Sequence, residues 1–285
     1  MKSYSLLLLF LAGGVNSAQD RYSANEPLEY VYKTIGSDSL KAYVFFPSEK
    51  QEEETSPAIA VFHGGGWAAG DPSWGFERAR RFAQMGLVAI SVQYRLSDQV
   101  SVTPIDAMED AKDFFLWARE NSSILKIQRD RIAAYGWSAG GHLIAGAAVF
   151  PKFNRDMNIS SVPDILILHS PAVSVINDGW FEQLLLHRGD PADLSPAENI
   201  TGSMPPSIIV IGRDDTVTPL KYSEYFQHEM VRHGNICELI IYDGVGHLFT
   251  PSDQPDNEMP NPDKEVTKKA FDEIDGFLQS RGYIE

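Results

Sequence analysis

Two glycine-rich stretches carry groups whose type and spacing suit acyl transfer. The first is Gly136-Trp137-Ser138-Ala139-Gly140-Gly141-His142, which follows an extended run at 131–137 and opens a helical pattern. A serine on such a strand-to-helix turn is cramped. Gly136 and Gly140, two residues before and after it, let the neighbouring backbones pass closely. The turn lifts the Ser138 hydroxyl above the strand end and aims the first amides of the helix at the same space. The second stretch is His63-Gly64-Gly65-Gly66-Trp67, directly after an apolar run at 58–63. Three consecutive glycines let main-chain N–H groups converge on one point, as acyl transfer requires when charge develops on a carbonyl oxygen. A phosphate-binding turn would lead into Lys-Ser/Thr or a GxGxxG pattern, and neither follows.

A serine nucleophile needs a base and an acid. When it sits on a turn of this kind, the acid and then the histidine follow it in the chain. The loop after the extended run at 207–212 offers Asp214 and Asp215. Of the seven histidines (63, 142, 169, 187, 228, 233 and 247), only the last three lie beyond that loop. His228 and His233 fall in a helical pattern with Tyr222, Phe226 and Met230. His247 ends Gly244-Val245-Gly246-His247, a flexible loop after the run at 237–243, where a base can reach over a strand end. His63 is expected to brace its own loop. Tyr94, Trp67 and Trp137 either line the cleft or pack in the core.

The elements that must position these groups alternate. Extended runs occur at 28–34, 40–46, 58–63, 87–93, 131–137, 164–169, 207–212 and 237–243, several almost wholly apolar, as in strands covered on both faces. Helical faces fill the gaps: Phe76, Ala79 and Ala83; Met108, Ala111, Phe115 and Ala118; Val266, Ala270, Ile274 and Phe277. The pattern predicts an α/β fold with a mostly parallel, doubly wound eight-stranded sheet, begun by an antiparallel pair, with helices on both faces. Two stretches break the alternation. The segment 174–196, with Trp180, Phe181 and three consecutive leucines, has the length to roof a cleft. The segment 251–263 reads as a solvated loop, because Asp253, Asp256, Glu258 and Asp263 lack the spacing and the glycine of a calcium loop.

Residues 1–18 read as an export signal: Lys2, an apolar run from Leu6 to Ala12, then small residues at Val15, Ser17 and Ala18. That leaves 19–285 as one catalytic domain in a secreted or periplasmic protein. Cys237 is the single cysteine, expected as a buried inert thiol, so intrachain disulfides and CxxC motifs are excluded. A formal net charge of −15 argues against nucleic acid, anionic polysaccharide or anionic membrane as partners. Asn121, Asn158 and Asn199 head glycosylation sequons that only a eukaryotic host would use. Neither a metal nor a cofactor is expected.

With these residues in hand, the chain resembles the α/β-hydrolase carboxylesterases related to hormone-sensitive lipase, and more closely their compact bacterial acetyl- and feruloyl-esterase-like branch. The matching residues are His63 to Trp67, Tyr94-Arg95, Asp130-Arg131-Ile132, Gly136 to His142, Gly212-Arg213-Asp214-Asp215 with Pro219, and Gly246-His247 with Phe249. The family pattern implies Asp215 as the acid, with Asp214 in reserve, and a triad of Ser138, Asp215 and His247. It implies an oxyanion hole drawn from the amides of Gly65, Gly66 and Ala139. Only about forty residues would separate a cleaved leader from His63, so the expected cap is small or absent. The resemblance points to short-acyl esters, acetyl or feruloyl, on small molecules or oligosaccharides. The rivals are a prolyl-oligopeptidase-like peptidase, whose usual propeller domain is missing, and a catalytically silent binding protein.

Overall fold

Runs rich in Val, Ile and Ala make strands because β-branched side chains fit a pleated surface covered on both sides. The computed structural model describes residues 25–47, 54–255 and 259–285, so the leader expected at 1–18 lies outside the described residues, as do Asp256 and Glu258. The chain runs β1 (Leu28–Ile35), β2 (Asp38–Phe45), β3 (Ser56–Phe62), α1 (Phe76–Gln84), β4 (Val88–Val92), α2 (Pro104–Glu120), β5 (Ile127–Ser138) and α3 (Ala139–Val149). A small hairpin, β6 (Phe153–Asn154) and β7 (Ile159–Ser160), comes next. Then follow β8 (Ile165–Pro171), α4 (Gly179–Leu184), β9 (Ser207–Gly212), α5 (Leu220–Arg232), β10 (Cys237–Tyr242) and α6 (Lys264–Ser280).

Eight strands form one sheet in the order β1-β2-β4-β3-β5-β8-β9-β10. β2 is antiparallel to both β1 and β4, and every pairing from β4 to β10 is parallel. Each of the eight extended runs becomes a strand. β5 starts at Ile127 rather than Arg131, because Ile127 pairs with Ser56 across an irregularity taken up by polar residues that show no alternation. The two-residue period decides which face each side chain feeds. In β3, Ala58, Ala60 and Phe62 join the core beneath α2, α3 and α5, while Ile59 and Val61 join the core beneath α1 and α6. Parallel strands in register bring their C-terminal ends to one edge of the sheet, where a ligand crevice forms in folds of this kind.

Two side chains outside the site take defined roles. Arg95 donates to Asp110 at 2.8 and 2.9 Å and to Asp106 at 3.0 Å, which pins the end of β4 to α2. Burial pushes the Cys237 thiol up to about 12, so it stays protonated and unreactive in β10. Among the described residues, no helix is long and apolar enough to cross a membrane.

Candidate active site

The turn at Ser138 is built by crowding. β5 ends at Ser138 and α3 begins with Ala139. Ser138 has φ 52° and ψ −122°, a conformation that costs a non-glycine residue about 1–3 kcal/mol and persists only where packing over-determines it. The packing here is close enough to do so. A Cβ on Gly136 would stand 2.5 Å from the Gly140 carbonyl oxygen, and one on Gly140 would stand 2.6 Å from that of His63. The end of β3 and the first turn of α3 can therefore meet only if both positions are glycine. Ser138 comes to rest at the wall of a cleft of about 710 Å³.

His247 and Asp215 arrive from two later loops. His247 follows β10 and lines the same cleft as Ser138. Its Nδ1 lies 3.0 Å from Oδ2 and 3.2 Å from Oδ1 of Asp215. The Asp215 carboxylate is fully buried. Its Oδ1 accepts the amides of Val217 at 3.0 Å and Thr218 at 2.7 Å, and the Thr218 hydroxyl stands 2.9 Å from Oδ2. Asp214 points elsewhere: it is exposed and accepts from Ser252 Oγ at 2.6 Å. The structure thus brings Asp215, not Asp214, to His247. His228 and His233 stay with α5, beside Glu229.

The glycine loop is shaped by its own backbone. Gly65 and Gly66 have φ of 120° and 57°, open to glycine and strained for other residues. Amides of Ala68 and Ala69 close the turn on the Gly65 carbonyl at 3.2 and 2.9 Å. Gly65 and Gly66 border the cleft. Among the described residues no hydrogen bond uses their amides. His63 braces the loop from behind, as expected: its Nδ1–H donates to the Gly64 carbonyl at 2.7 Å, and burial lowers its pKa. Tyr94 packs there too, its ring 4.4 Å from that of His63 and its hydroxyl donating to the His63 carbonyl at 2.8 Å.

The last residue of the serine motif, His142, ties three elements together, a role that residue types alone did not disclose. Its Nδ1 accepts from Trp67 Nε1 at 3.2 Å and its Nε2–H donates to the Leu194 carbonyl at 2.9 Å. The bond from Trp67 requires the neutral ring, whose Nδ1 is free to accept, and burial drops its pKa to about 4. In the unfolded chain an imidazole takes up its proton near pH 6.5. The folded state therefore holds a stabilising increment that is complete above about pH 6.5 and is lost as pH falls towards 4, worth about 3 kcal/mol. His142→Gln keeps an acceptor and a donor but cannot titrate. Urea unfolding at pH 7 and pH 4.5 should show the wild type losing more stability than the variant on acidification. Equal losses would contradict this role.

The tryptophans divide. Trp67 and Trp137 are almost buried yet still border the cleft, where Trp74 and Trp180 are 47% and 41% exposed. Trp180 comes from the segment 174–196, which folds into α4 and short turns beside the cleft, and Met259 and Pro260 border it from the segment 251–263. Asp263 is no idle loop acid, since it caps α6 by accepting the Val266 amide at 2.9 Å. Among the described cleft residues there is no Lys or Arg.

The eight-stranded sheet, the strained serine turn at its C-terminal edge and the glycine loop beside it define an α/β-hydrolase of the carboxylesterase class. Residues 44–230 match the BD-FAE family model, and the chain belongs to that family. Native esterase 2 of the planctomycete Thermogutta terrifontis aligns with a TM-score of 0.78 at 28% identity, covering 92% of this chain and 94% of that one. That esterase has also been solved with butyrate bound and phosphonylated by sarin. The arylesterase of Saccharolobus solfataricus is 31% identical over 128 residues, 43% of this chain and 41% of the arylesterase. The non-reducing polyketide synthase ausA of Emericella nidulans is 28% identical over 195 residues, 62% of this chain and 8% of the synthase. The chain thus spans less than half the length of either curated relative.

Proposed function

We propose that the protein hydrolyses carboxylic esters through Ser138, His247 and Asp215. The observation that carries this reading is the buried Asp215–His247 pair at 3.0 Å, opening on the same cleft as the strained Ser138. His247 takes the Ser138 proton as Oγ attacks the ester carbonyl, and the buried carboxylate holds the ring and stabilises its cation. Amides of Gly65, Gly66 and Ala139 receive the oxyanion. Collapse expels the alcohol with the proton from His247, and water then releases the acid from Ser138 by the same route.

The preferred substrates in this reading are short acyl esters of carbohydrates, handled outside the cytoplasm. Exposed Trp74 and Trp180 offer faces that suit sugar rings. A cleft whose described lining holds no lysine or arginine suits uncharged esters, and the butyrate complex of the Thermogutta esterase supports a short acyl group. The leader at 1–18 supports export, and N-terminal sequencing of the exported protein would test it, an intact Met1 counting against it.

One experiment separates the alternatives. A fluorophosphonate should label Ser138, which a silent binding protein would not allow. A panel of p-nitrophenyl esters, beside acetylated and feruloylated oligosaccharides and peptide anilides, should show the highest kcat/KM for acetyl to butyryl chains. Chains of about ten carbons or more should do worse, because a cleft that buries few methylenes gains little from further ones. Faster turnover of long chains would make it a lipase, and faster turnover of the anilides a peptidase.

A further inference from the structure

The short helix α4 presents two consecutive aromatic side chains to the glycine loop. Asp178 sets their direction, because its Oδ1 accepts the amides of Trp180 and Phe181 at 3.0 Å each. Phe181 is fully buried, edge-on to Trp67 at 4.8 Å and to His142 at 5.2 Å. Trp180 is half-exposed, yet its indole Nε1–H donates to the Gly66 carbonyl at 2.9 Å. Water would satisfy that indole equally well at the surface, so the bond matters for the carbonyl it restrains.

That carbonyl belongs to a peptide under unusual constraint. Gly66 and Trp67 on its two sides both have positive φ, 57° and 61°. A left-handed pair is held by its surroundings rather than by local preference, and for Trp67 the conformation is costly. Trp67 is held from beneath by Phe181 and by its bond to His142. Among the described residues only Trp180 donates to the Gly66 carbonyl, and the fit is close: a Cβ on Gly66 would lie 3.1 Å from Trp180 Nε1. The Gly65 carbonyl is held by the Ala68 and Ala69 amides, so the Gly66 carbonyl is the next anchor along the loop, and freeing it would let Gly66 and its N–H shift at the cleft.

We infer that Trp180 is a positioning residue, whose indole N–H fixes the Gly66 carbonyl and so holds Gly66 where its amide can meet the developing oxyanion. This rests on the catalytic reading of Ser138 given above. The segment over the cleft is then part of the machinery that stabilises the transition state, besides being a wall. Oxyanion donors act through orientation, so a donor displaced by a fraction of an ångström is felt in kcat before it is felt in KM.

Trp180→Phe keeps a ring over Gly66 and removes the N–H, whereas Trp180→Ala removes both. Full-length proteins would be compared with p-nitrophenyl acetate, with active sites counted by fluorophosphonate titration and folding checked by thermal denaturation. The Phe variant should lose roughly tenfold in kcat with KM within about twofold of wild type. A trifluoromethyl ketone adds to the serine Oγ and places an oxyanion in the same hole, so its inhibition constant should rise by a similar factor. The Ala variant should lose kcat at least as far and change KM as well. A Phe variant with wild-type kcat and ketone affinity, or a loss confined to KM, would overturn the inference while leaving Ser138 as nucleophile. Wild-type protein that fluorophosphonate does not label would overturn the catalytic reading, and this inference with it.

Discussion

Ser138→Ala is expected to lower kcat for ester hydrolysis by roughly five to six orders of magnitude and to leave the fold intact. The reason is specific to one atom. In the proposed mechanism the hydroxyl oxygen forms the acyl-enzyme, and no neighbouring side chain on the turn can replace it. Alanine keeps the Cβ, so the backbone at φ 52° meets the same contacts and the turn between β5 and α3 has no reason to relax. The glycine-loop amides and the cleft survive, so a small residual rate above that of water is expected. Turnover of p-nitrophenyl acetate together with the thermal midpoint of both proteins tests the claim. A variant that folds and keeps more than about a hundredth of wild-type kcat would remove Ser138 from the mechanism.

The second large effect concerns the acid. Asp215→Asn should cost about four orders of magnitude in kcat, as the same change does in the serine-protease case from which that figure is taken. The hydrogen bonds explain why the loss would be catalytic and not structural. An amide oxygen in place of Oδ1 still accepts the Val217 and Thr218 amides, and the Thr218 hydroxyl can turn to the Ser170 carbonyl at 3.0 Å. The amide nitrogen in place of Oδ2 then faces His247 Nδ1 as a donor. His247 can accept that bond only by moving its proton to Nε2, which leaves no base for Ser138. Asp214→Asn should change kcat by a few-fold at most, since that carboxylate is exposed and meets Ser252. The reverse ranking, read in one kinetic series at fixed pH, would place the acid at Asp214.

How much of this was legible in advance follows from the range over which each feature is decided. Strand periodicity and the need for glycine beside a cramped serine are local matters, set within a few residues of chain. The eight strands, the turn at Ser138, the loop at Gly64 to Gly66 and the place of His247 on a loop at a strand end could therefore be read from residue types and order. The family pattern pointed to Asp215, but residue types alone left it level with Asp214, because adjacent side chains of one loop differ only in direction.

Direction was settled by tertiary structure. Asp215 meets His247 across 32 positions of sequence, and nothing near either residue encodes that meeting. The same holds for His142, which joins Trp67 to the Leu194 carbonyl, and for Trp180, which reaches Gly66 across 114 positions. It holds too for the four tryptophans at the cleft, of which Trp67 and Trp137 are buried while Trp74 and Trp180 are exposed. Residue types and their order were enough for the sheet, the turn at Ser138 and the glycine loop, because backbone sterics and side-chain period act at short range. Which acid faces the histidine, and what holds the oxyanion loop, depended on where distant loops land once the sheet has assembled, since hydrogen-bond geometry exists only between groups already brought together.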